Sequence, residues 1–515
     1  MRGTAGNPWF LGLITIKKNK PVVLFQKLGR YIGISTSTGN FYDLSPRTYD
    51  LLEKWNKGIS LFRGSPSRKK TAALAKALHV PPEVAKCFPI RDKNISLSPD
   101  KRSSACLTDL TLNLTSSCNL RCVYCWNDHG QYSNAAFLKR KTINPEKNDA
   151  GIHMPVMTAL RAVDILVKLR GSDRDLVVDF YGGEPLLNMD TLMATVDYCR
   201  KNQKKWGVRF HFLLATNGTL LTASIAKRLL NKGVQVAVSI DGPKAVHDNN
   251  RPFIHREGSF DTILSNLKEM PKAVMKRLVG RTTVTPFFPN MVKLYEHLRR
   301  LGFERIEIFE SEDACHKLSP QQRASFFSTK GNYKLLCKMY EKLALRYIDD
   351  AVSGNLNYSK TFFNRFFKLM QRLYYNQEIS GGCPAAKGQI AVSVDGGIYP
   401  CTSFLGIKDF ELGNVNDGLE VKKYERFIAN TNRRFEHCQK DCDLFSLCRS
   451  TGSCLNVNYF FNEDPAVPHK KSCDLFAEKL ALAAASLAIL SEKIPHRLEK
   501  LFGSDPVGRR GNNLY

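Results

Sequence analysis

Residues 110–125 read LTLNLTSSCNLRCVYC. Apolar and polar residues alternate over the first six positions, the period of a half-buried strand. Cys118, Cys122 and Cys125 then follow on the loop that leaves this strand, with three residues between the first pair and two between the second. Four thiolates are the usual closed set for zinc or iron–sulfur centres. Three leave one coordination position open for chemistry.

Outward from this stretch the chain alternates strands with helices. LVVDFYG, FHFLLATN, VQVAVSID, LVGRTTVT and FERIEIFE are strand candidates, and between them run segments with helical spacing such as MPVMTALRAVDILVKLR and LTASIAKRLLNKG. Repeated βα units predict a parallel sheet, open or curved into a barrel, with function at the strand C-terminal ends. Cys118, the YGGEP segment, Asn217, Asp241 and Thr285 all fall at such ends.

The C-x3-C-x2-C triplet, with Tyr124 just before its last cysteine, resembles that of the radical SAM superfamily. The resemblance implies an α/β partial (β/α)6 TIM-like barrel and a [4Fe-4S] cluster on Cys118, Cys122 and Cys125. The open iron of that cluster binds S-adenosylmethionine and reductively cleaves it to a hydrogen-abstracting adenosyl radical. Supporting segments recur in the family's order. FYGGEP at 180–185 resembles the motif at the methionyl amino group, bringing in Gly182, Gly183 and Glu184. ATNG offers Asn217, SIDG offers Ser239 and Asp241, and GRTTVT offers Arg281 for the methionine carboxylate. SIDGPKAVHDNNRP, residues 239–252, is similar over its whole length. In it, Asp248 and Arg251 either organise the thiol loop or form a scaffold salt bridge.

Seven more cysteines follow: Cys383 and Cys401, then C-x3-C-x5-C-x5-C-x18-C through Cys438, Cys442, Cys448, Cys454 and Cys473. The set resembles the SPASM-type auxiliary domain, with one, two and one extra residues in its first, third and fourth gaps. That resemblance implies two auxiliary iron–sulfur clusters of the [4Fe-4S] type. Cys438, Cys442, Cys448 and Cys473 would hold one; Cys383, Cys401 and Cys454 would hold the other, whose fourth ligand stays open. Thiolate sets also accept zinc, and that alternative stands at this level.

The organisation expected is a winged-helix-like domain at 1–100, the radical SAM barrel at 105–317, a helical connector at 318–380, the auxiliary domain at 381–475 and a C-terminal helix and tail at 476–515. KPVVLFQ and YIGIST are short strands, SPRTYDLLEKW opens a helix with a cap signal and Pro, and TAALAKALHV gives a second helical pattern. This order is similar to the leader-binding domain of ribosomal-peptide maturases, in which a leader peptide adds to a strand edge. The aromatic, basic run YSKTFFNRFFKLMQRLYYNQE reads as a helix core with a basic outer face. LALAAASLAILSEKI reads as a helix packed on the body.

Lys and Arg total 76 against 48 Asp and Glu, a formal charge of +28. The basic residues are dispersed and specify no nucleic-acid site. No apolar run is long enough for a membrane span and the opening residues lack a secretory signal, so a cytoplasmic protein with reduced cysteines is expected. Cys87, Cys106, Cys199, Cys315 and Cys337 read as single buried thiols.

The function expected is a maturase that cross-links a precursor peptide carrying a leader segment, served by a reductase or a flavodoxin- or ferredoxin-type electron donor. Peptide epimerisation, sulfatase maturation and a non-catalytic metal-containing binding protein are the alternatives. Sulfatase activators place an Asp after the cysteine equivalent to Cys401; here the residue is Thr402.

Overall fold

The computed structural model describes residues 22–35, 41–56, 106–125, 153–311, 330–355, 365–375, 383–442 and 454–502, with 327, 362–363, 444 and 448. TAALAKALHV, Cys87 and Cys315 lie outside the described residues.

At the N-terminus β1 (Val22–Lys27), β2 (Arg30–Ser35) and β3 (Phe41–Leu44) form an antiparallel sheet in that order, followed by α1 (Pro46–Asn56). Helix α1 starts where the sequence signals it: Pro46 takes the first position, and the Thr48 backbone N–H donates to Ser45 Oγ at 3.1 Å.

Six parallel strands then follow in sequence order: β4 (Asp109–Thr115), β5 (Asp175–Gly182), β6 (Arg209–Thr216), β7 (Val234–Ser239), β8 (Val279–Val284) and β9 (Arg305–Glu310). Between them run α2 (Val156–Leu169), α3 (Met189–Trp206), α4 (Ala223–Asn231), α5 (Lys244–Asn250), α6 (Phe260–Lys268), α7 (Lys272–Met275) and α8 (Met291–Arg300). Alternation decides the faces. Leu176, Val178 and Phe180 of β5 and Phe210, Phe212 and Leu214 of β6 are fully buried in the core, each contributing roughly 1.5–3 kcal/mol. Residues of opposite parity, among them Tyr181, Arg281 and Glu307, point into the concave side. This is the six-stranded partial barrel expected from sequence.

The sheet continues past both ends of that barrel. After α9 (Lys330–Val352), the two-residue strand β10 (Phe362–Phe363) joins β9, and α10 (Arg365–Tyr374) follows. On the other side β11 (Gln389–Val392) lies parallel to β4. A tight turn at Asp395 and Gly396 then leads to antiparallel β12 (Gly397–Tyr399), with β13 (Gly413–Asn414) and β14 (Gly418–Leu419) completing an 11-stranded sheet among the described residues. The cysteine-rich region is thus fused to the barrel sheet through backbone hydrogen bonds.

Helices α11 (Val421–Asp441), α12 (Leu455–Asn462), α13 (Lys470–Lys493) and α14 (Leu498–Phe502) close the chain. The apolar run of α13 is buried against α9, α10 and the β1–β3 sheet, as its composition predicts, and the same helix carries Cys473 near its start. Lys479 of α13 reaches Glu310 at the end of β9 at 2.5 Å, and Lys27 reaches Glu478 at 2.5 Å. The aromatic insert is core: Tyr340, Tyr347 and Phe366 are buried, and the Tyr347 and Phe367 rings lie 4.2 Å apart. No described helix is long and apolar enough to cross a membrane.

Candidate functional site

The thiol loop leaves the C-terminal end of β4 and is held on three sides. The Gly183 N–H donates to Thr115 O at 2.8 Å and the Glu184 N–H to Ser117 O at 2.9 Å. Gly182 and Gly183 are required by this approach. A Cβ on Gly182, whose φ is +136°, would stand 2.4 Å from Thr115 O, and one on Gly183 would stand 2.1 Å from Ser117 O. The two glycines therefore serve the thiol loop's own backbone.

Glu184 is fully buried. It accepts from the Leu186 N–H at 3.1 Å, the Thr216 hydroxyl at 2.7 Å and the Asn217 N–H at 2.7 Å. Burial raises its carboxyl above the ordinary range, and these donors work against that shift. Asn217 donates to Asn119 Oδ1 at 2.8 Å and points its amide at Cys118 Sγ, 3.9 Å away. Glu184 and Asn217 thus form a chain from β5 through β6 to the first thiol.

The third side is the segment after β7. Backbone bonds join Arg121 to Pro252, Val123 to Asn250 and Ile254 to Asn119 at 2.8, 2.9 and 3.2 Å. Asp241, fully buried, accepts from the Tyr124 hydroxyl, from Asn250 Nδ2 at 3.3 Å and from the Thr283 N–H at 3.0 Å. Arg251 Nε lies 3.1 Å from Asp241 Oδ2 without the alignment of a hydrogen bond, so that contact is charge against charge. The Arg251 guanidinium also covers the Tyr124 ring at 5.3 Å and approaches Cys122 Sγ at 4.0 Å. Burial lowers its pKa, but Asp241, Tyr124 and Cys122 together outweigh that and leave it raised.

Arg251 therefore organises the loop. Asp248, by contrast, forms a scaffold bridge, taking Lys244 at 2.8 Å and the Phe260 N–H at 2.8 Å. His247 went unnoticed in the sequence. It is fully buried, accepts at Nδ1 from the Asp241 N–H at 3.1 Å, and faces Ser259 Oγ with Nε2 at 3.0 Å. That acceptor role requires the Nε2–H tautomer. Burial drives its pKa down to about 4.

Below the loop, Ser239 is buried at the end of β7, register partner of Arg281 on β8. Arg281 donates to Glu307 Oε2 at 2.9 and 2.8 Å and lies over the Phe309 ring at 5.4 Å. Tyr181, on the face it shares with Asp179, lies within electrostatic reach of Cys125, Asp179, Arg281 and Cys122. The barrel interior under the thiols is therefore polar and carries both signs of charge.

The three thiols lie within electrostatic reach of one another. Burial first, and Cys125 next, push Cys118 up to about 12; burial also raises Cys122 well above its usual value. Such a cluster is a poor home for thiolates until a cationic centre neutralises them. No described group of side chains is gathered tightly enough for a single metal ion.

In the C-terminal region, the Ala386 N–H donates to both Gln389 O and Pro400 O at 2.9 Å, bringing the segment that begins at Cys383 against Cys401. Burial raises the Cys401 thiol well above its usual value, and Cys383 and Cys454 add to it. Burial likewise raises Cys473, helped by Cys448, Cys438 and Cys442. Cys383 and Cys454 thus act on Cys401, and Cys448, Cys438 and Cys442 on Cys473, the groupings that the SPASM resemblance implies. Arg434 on α11 lies within electrostatic reach of Cys383 and Cys454 and of Cys438 and Cys448. It is 2% exposed, and its Nε and Nη1 have no hydrogen-bond partner among the described residues. Of the cysteines outside both regions, Cys199 is fully buried, whereas Cys106 is partly exposed and donates to Arg170 O at 3.2 Å.

Residues 112–301 match the model of the Radical SAM superfamily. The chain is 32% identical over 323 residues to an uncharacterized protein of Methanocaldococcus jannaschii, covering 61% of this chain and 90% of that one. This chain belongs to the radical SAM superfamily. It is also 26% identical over 368 residues to a cysteine-type anaerobic sulfatase-maturating enzyme of Clostridium perfringens, covering 67% of this chain and 91% of the relative. The solved structure of native anSMEcpe with bound AdoMet and Cp18Cys peptide shares the fold, with a TM-score of 0.58 at 22% identity over 75% of this chain and 99% of that one. As a member of the superfamily, this radical SAM chain uses S-adenosylmethionine and an iron–sulfur centre.

Proposed function

We propose that this chain is a radical SAM oxidoreductase that removes hydrogen from a residue of a polypeptide held inside the barrel. One observation carries the reading: a polar interior lies between two thiol groups at opposite ends of the strands. Cys118 follows the C-terminal end of β4, whereas Cys383 precedes β11, which runs parallel beside β4. Seven residues of strand separate these ends by on the order of 20 Å.

On this reading Cys118, Cys122 and Cys125 hold the radical-site cluster, which supplies the electron that splits S-adenosylmethionine. Tyr124, Gly182, Gly183, Glu184, Asn217, Ser239 and Asp241 shape the cofactor's surroundings, chiefly by fixing the loop. Arg281 is the cation available to its carboxylate, in exchange for part of the Glu307 contact. Cys383, Cys401 and Cys454, and separately Cys438, Cys442, Cys448 and Cys473, hold the auxiliary centres. Bound at the radical site, S-adenosylmethionine would supply the acceptor for one hydrogen atom of the substrate, and the auxiliary centres would supply an acceptor for the second electron as a proton leaves, a net loss of two hydrogens.

Oxidation of a side chain on a protein has the stronger support, because the sulfatase-maturating relatives match over most of their length. Peptide cross-linking is the second reading. It is favoured by Thr402 in place of the acid of sulfatase activators and by the β1–β3 sheet, whose outer strands β1 and β3 each pair on one side only within that sheet.

The test is anaerobic incubation with candidate polypeptides, followed by tandem mass spectrometry and hydrazide tagging. A product two hydrogens lighter and reactive to hydrazide supports aldehyde formation, and an unreactive product of that mass supports a cross-link. Polypeptides left unchanged while a small molecule is consumed would defeat the proposal.

A further inference from the structure

Arg433 and Arg434 are adjacent on α11 and have opposite fates. Arg433 is exposed and pairs with Asp464 at 2.9 Å. Arg434 is almost completely enclosed, its guanidinium 5.2 Å from the Phe435 ring, with Nε and Nη1 finding no acceptor among the described residues. A buried cation with unused donors is costly. Such a residue persists where an anion completes it.

The surroundings identify the anion. Arg434 lies one helical turn before Cys438, on the same face of α11. The segment beginning at Cys383 is brought to this helix by Lys387, which donates to Asn432 Oδ1 at 2.8 Å and covers Phe435 at 5.6 Å. Cys383, Cys438, Cys448 and Cys454 all lie within electrostatic reach of the guanidinium, so it faces members of both auxiliary thiol sets.

We propose that Arg434 is the shared counter-cation of the two auxiliary iron–sulfur centres, its unpartnered N–H groups donating to their sulfurs and its charge favouring the reduced state of both. Net charge and hydrogen bonds to sulfur are among the levers that set cluster potentials. The arrangement equips both centres to take the electron that the oxidised substrate releases. Arg434 is a positioning and tuning residue, since it reaches the reaction only through the clusters. The proposal rests on the reading that the seven C-terminal thiols hold such centres.

The test uses the full-length, anaerobically reconstituted enzyme and its R434M and R434K variants. Iron and sulfide are assayed, and auxiliary potentials are followed by EPR-monitored redox titration with the radical-site cluster as internal reference. R434M is expected to shift both auxiliary potentials negative, lowering the reduced-to-oxidised ratio at fixed poise at least tenfold, about 59 mV for a one-electron couple. R434K should retain most of the charge effect. Fully loaded R434M with unchanged auxiliary potentials overturns the role of Arg434 and leaves the clusters standing. Wild-type enzyme with iron for a single cluster overturns the cluster assignment, and the inference with it.

Should R434M fail to fold, wild-type enzyme labelled with guanidino-15N arginine answers the same question. Nitrogen hyperfine coupling to a reduced auxiliary centre supports the contact, and absence of coupling refutes it.

Discussion

The two thiol regions are built on opposite principles. At the end of β4 the protein fixes the loop by itself: backbone bonds tie it to β5 and to residues 250–254, Asn217 and Asp241 are held by hydrogen bonds of their own, and Arg251 finds its counter-charge in Asp241. In the C-terminal region the cysteines come from four separate stretches, and the buried cation among them has donors with no acceptor among the described residues. The first site is preorganised by the fold, which suits a centre that must present an open iron. On the proposed reading, the second would depend on its clusters for its own organisation, as in domains where metal binding supplies folding energy.

The comparison breaks most visibly by removing a thiol. Cys122→Ala should abolish 5′-deoxyadenosine formation while the chain still folds, as read by chromatography of anaerobic reactions beside circular dichroism. Stripping iron with a chelator should sharpen the contrast: hydrogen exchange should rise strongly across 383–473 and little in β4–β9, and equal loss in both would erase the distinction. Arg251→Met leaves Asp241 buried and uncompensated. A cost of about 3–5 kcal/mol in chemical unfolding is expected, with loss of radical-site iron.

Protonation provides a milder probe. The folded pKa of His247 is about 4 against a usual 6.5, so the folded state prefers the neutral ring. Its contribution is fully present above about pH 6.5 and is lost as pH falls toward 4, a loss on the order of 3 kcal/mol. His247→Gln should flatten that limb of the stability profile measured by denaturant titration. Asn217→Ala, which removes the tie to Asn119 and the amide beside Cys118, should cost about 1–3 kcal/mol and weaken cluster retention.

Much of the barrel and the thiol loop was legible because the signals are local. Strand alternation in LTLNLT and LVVDFYG and the spacing of Cys118, Cys122 and Cys125 survive in any short window, and Ser45 with Pro46 announces a helix start. The rest depends on distant pairing. That β11 extends the barrel by lying against β4, some 280 residues earlier in the chain, follows from no local pattern. Glu184 reads as a cofactor acceptor in sequence, yet the structure shows its carboxylate occupied by Leu186, Thr216 and Asn217. Arg434 looks like its exposed neighbour Arg433 until the fold turns it inward. Asp248 and Arg251, left together in the sequence, separate cleanly into scaffold and thiol loop once Phe260 and Cys122 are in place.

The most direct test of the account is a single reaction. Full-length chain, reconstituted with iron and sulfide under anaerobic conditions, is reduced and given S-adenosylmethionine, and the products are quantified. The account predicts 5′-deoxyadenosine and methionine in equal amounts. A radical site shown by spectroscopy to be loaded and reduced, yet unable to cleave the cofactor, would contradict it.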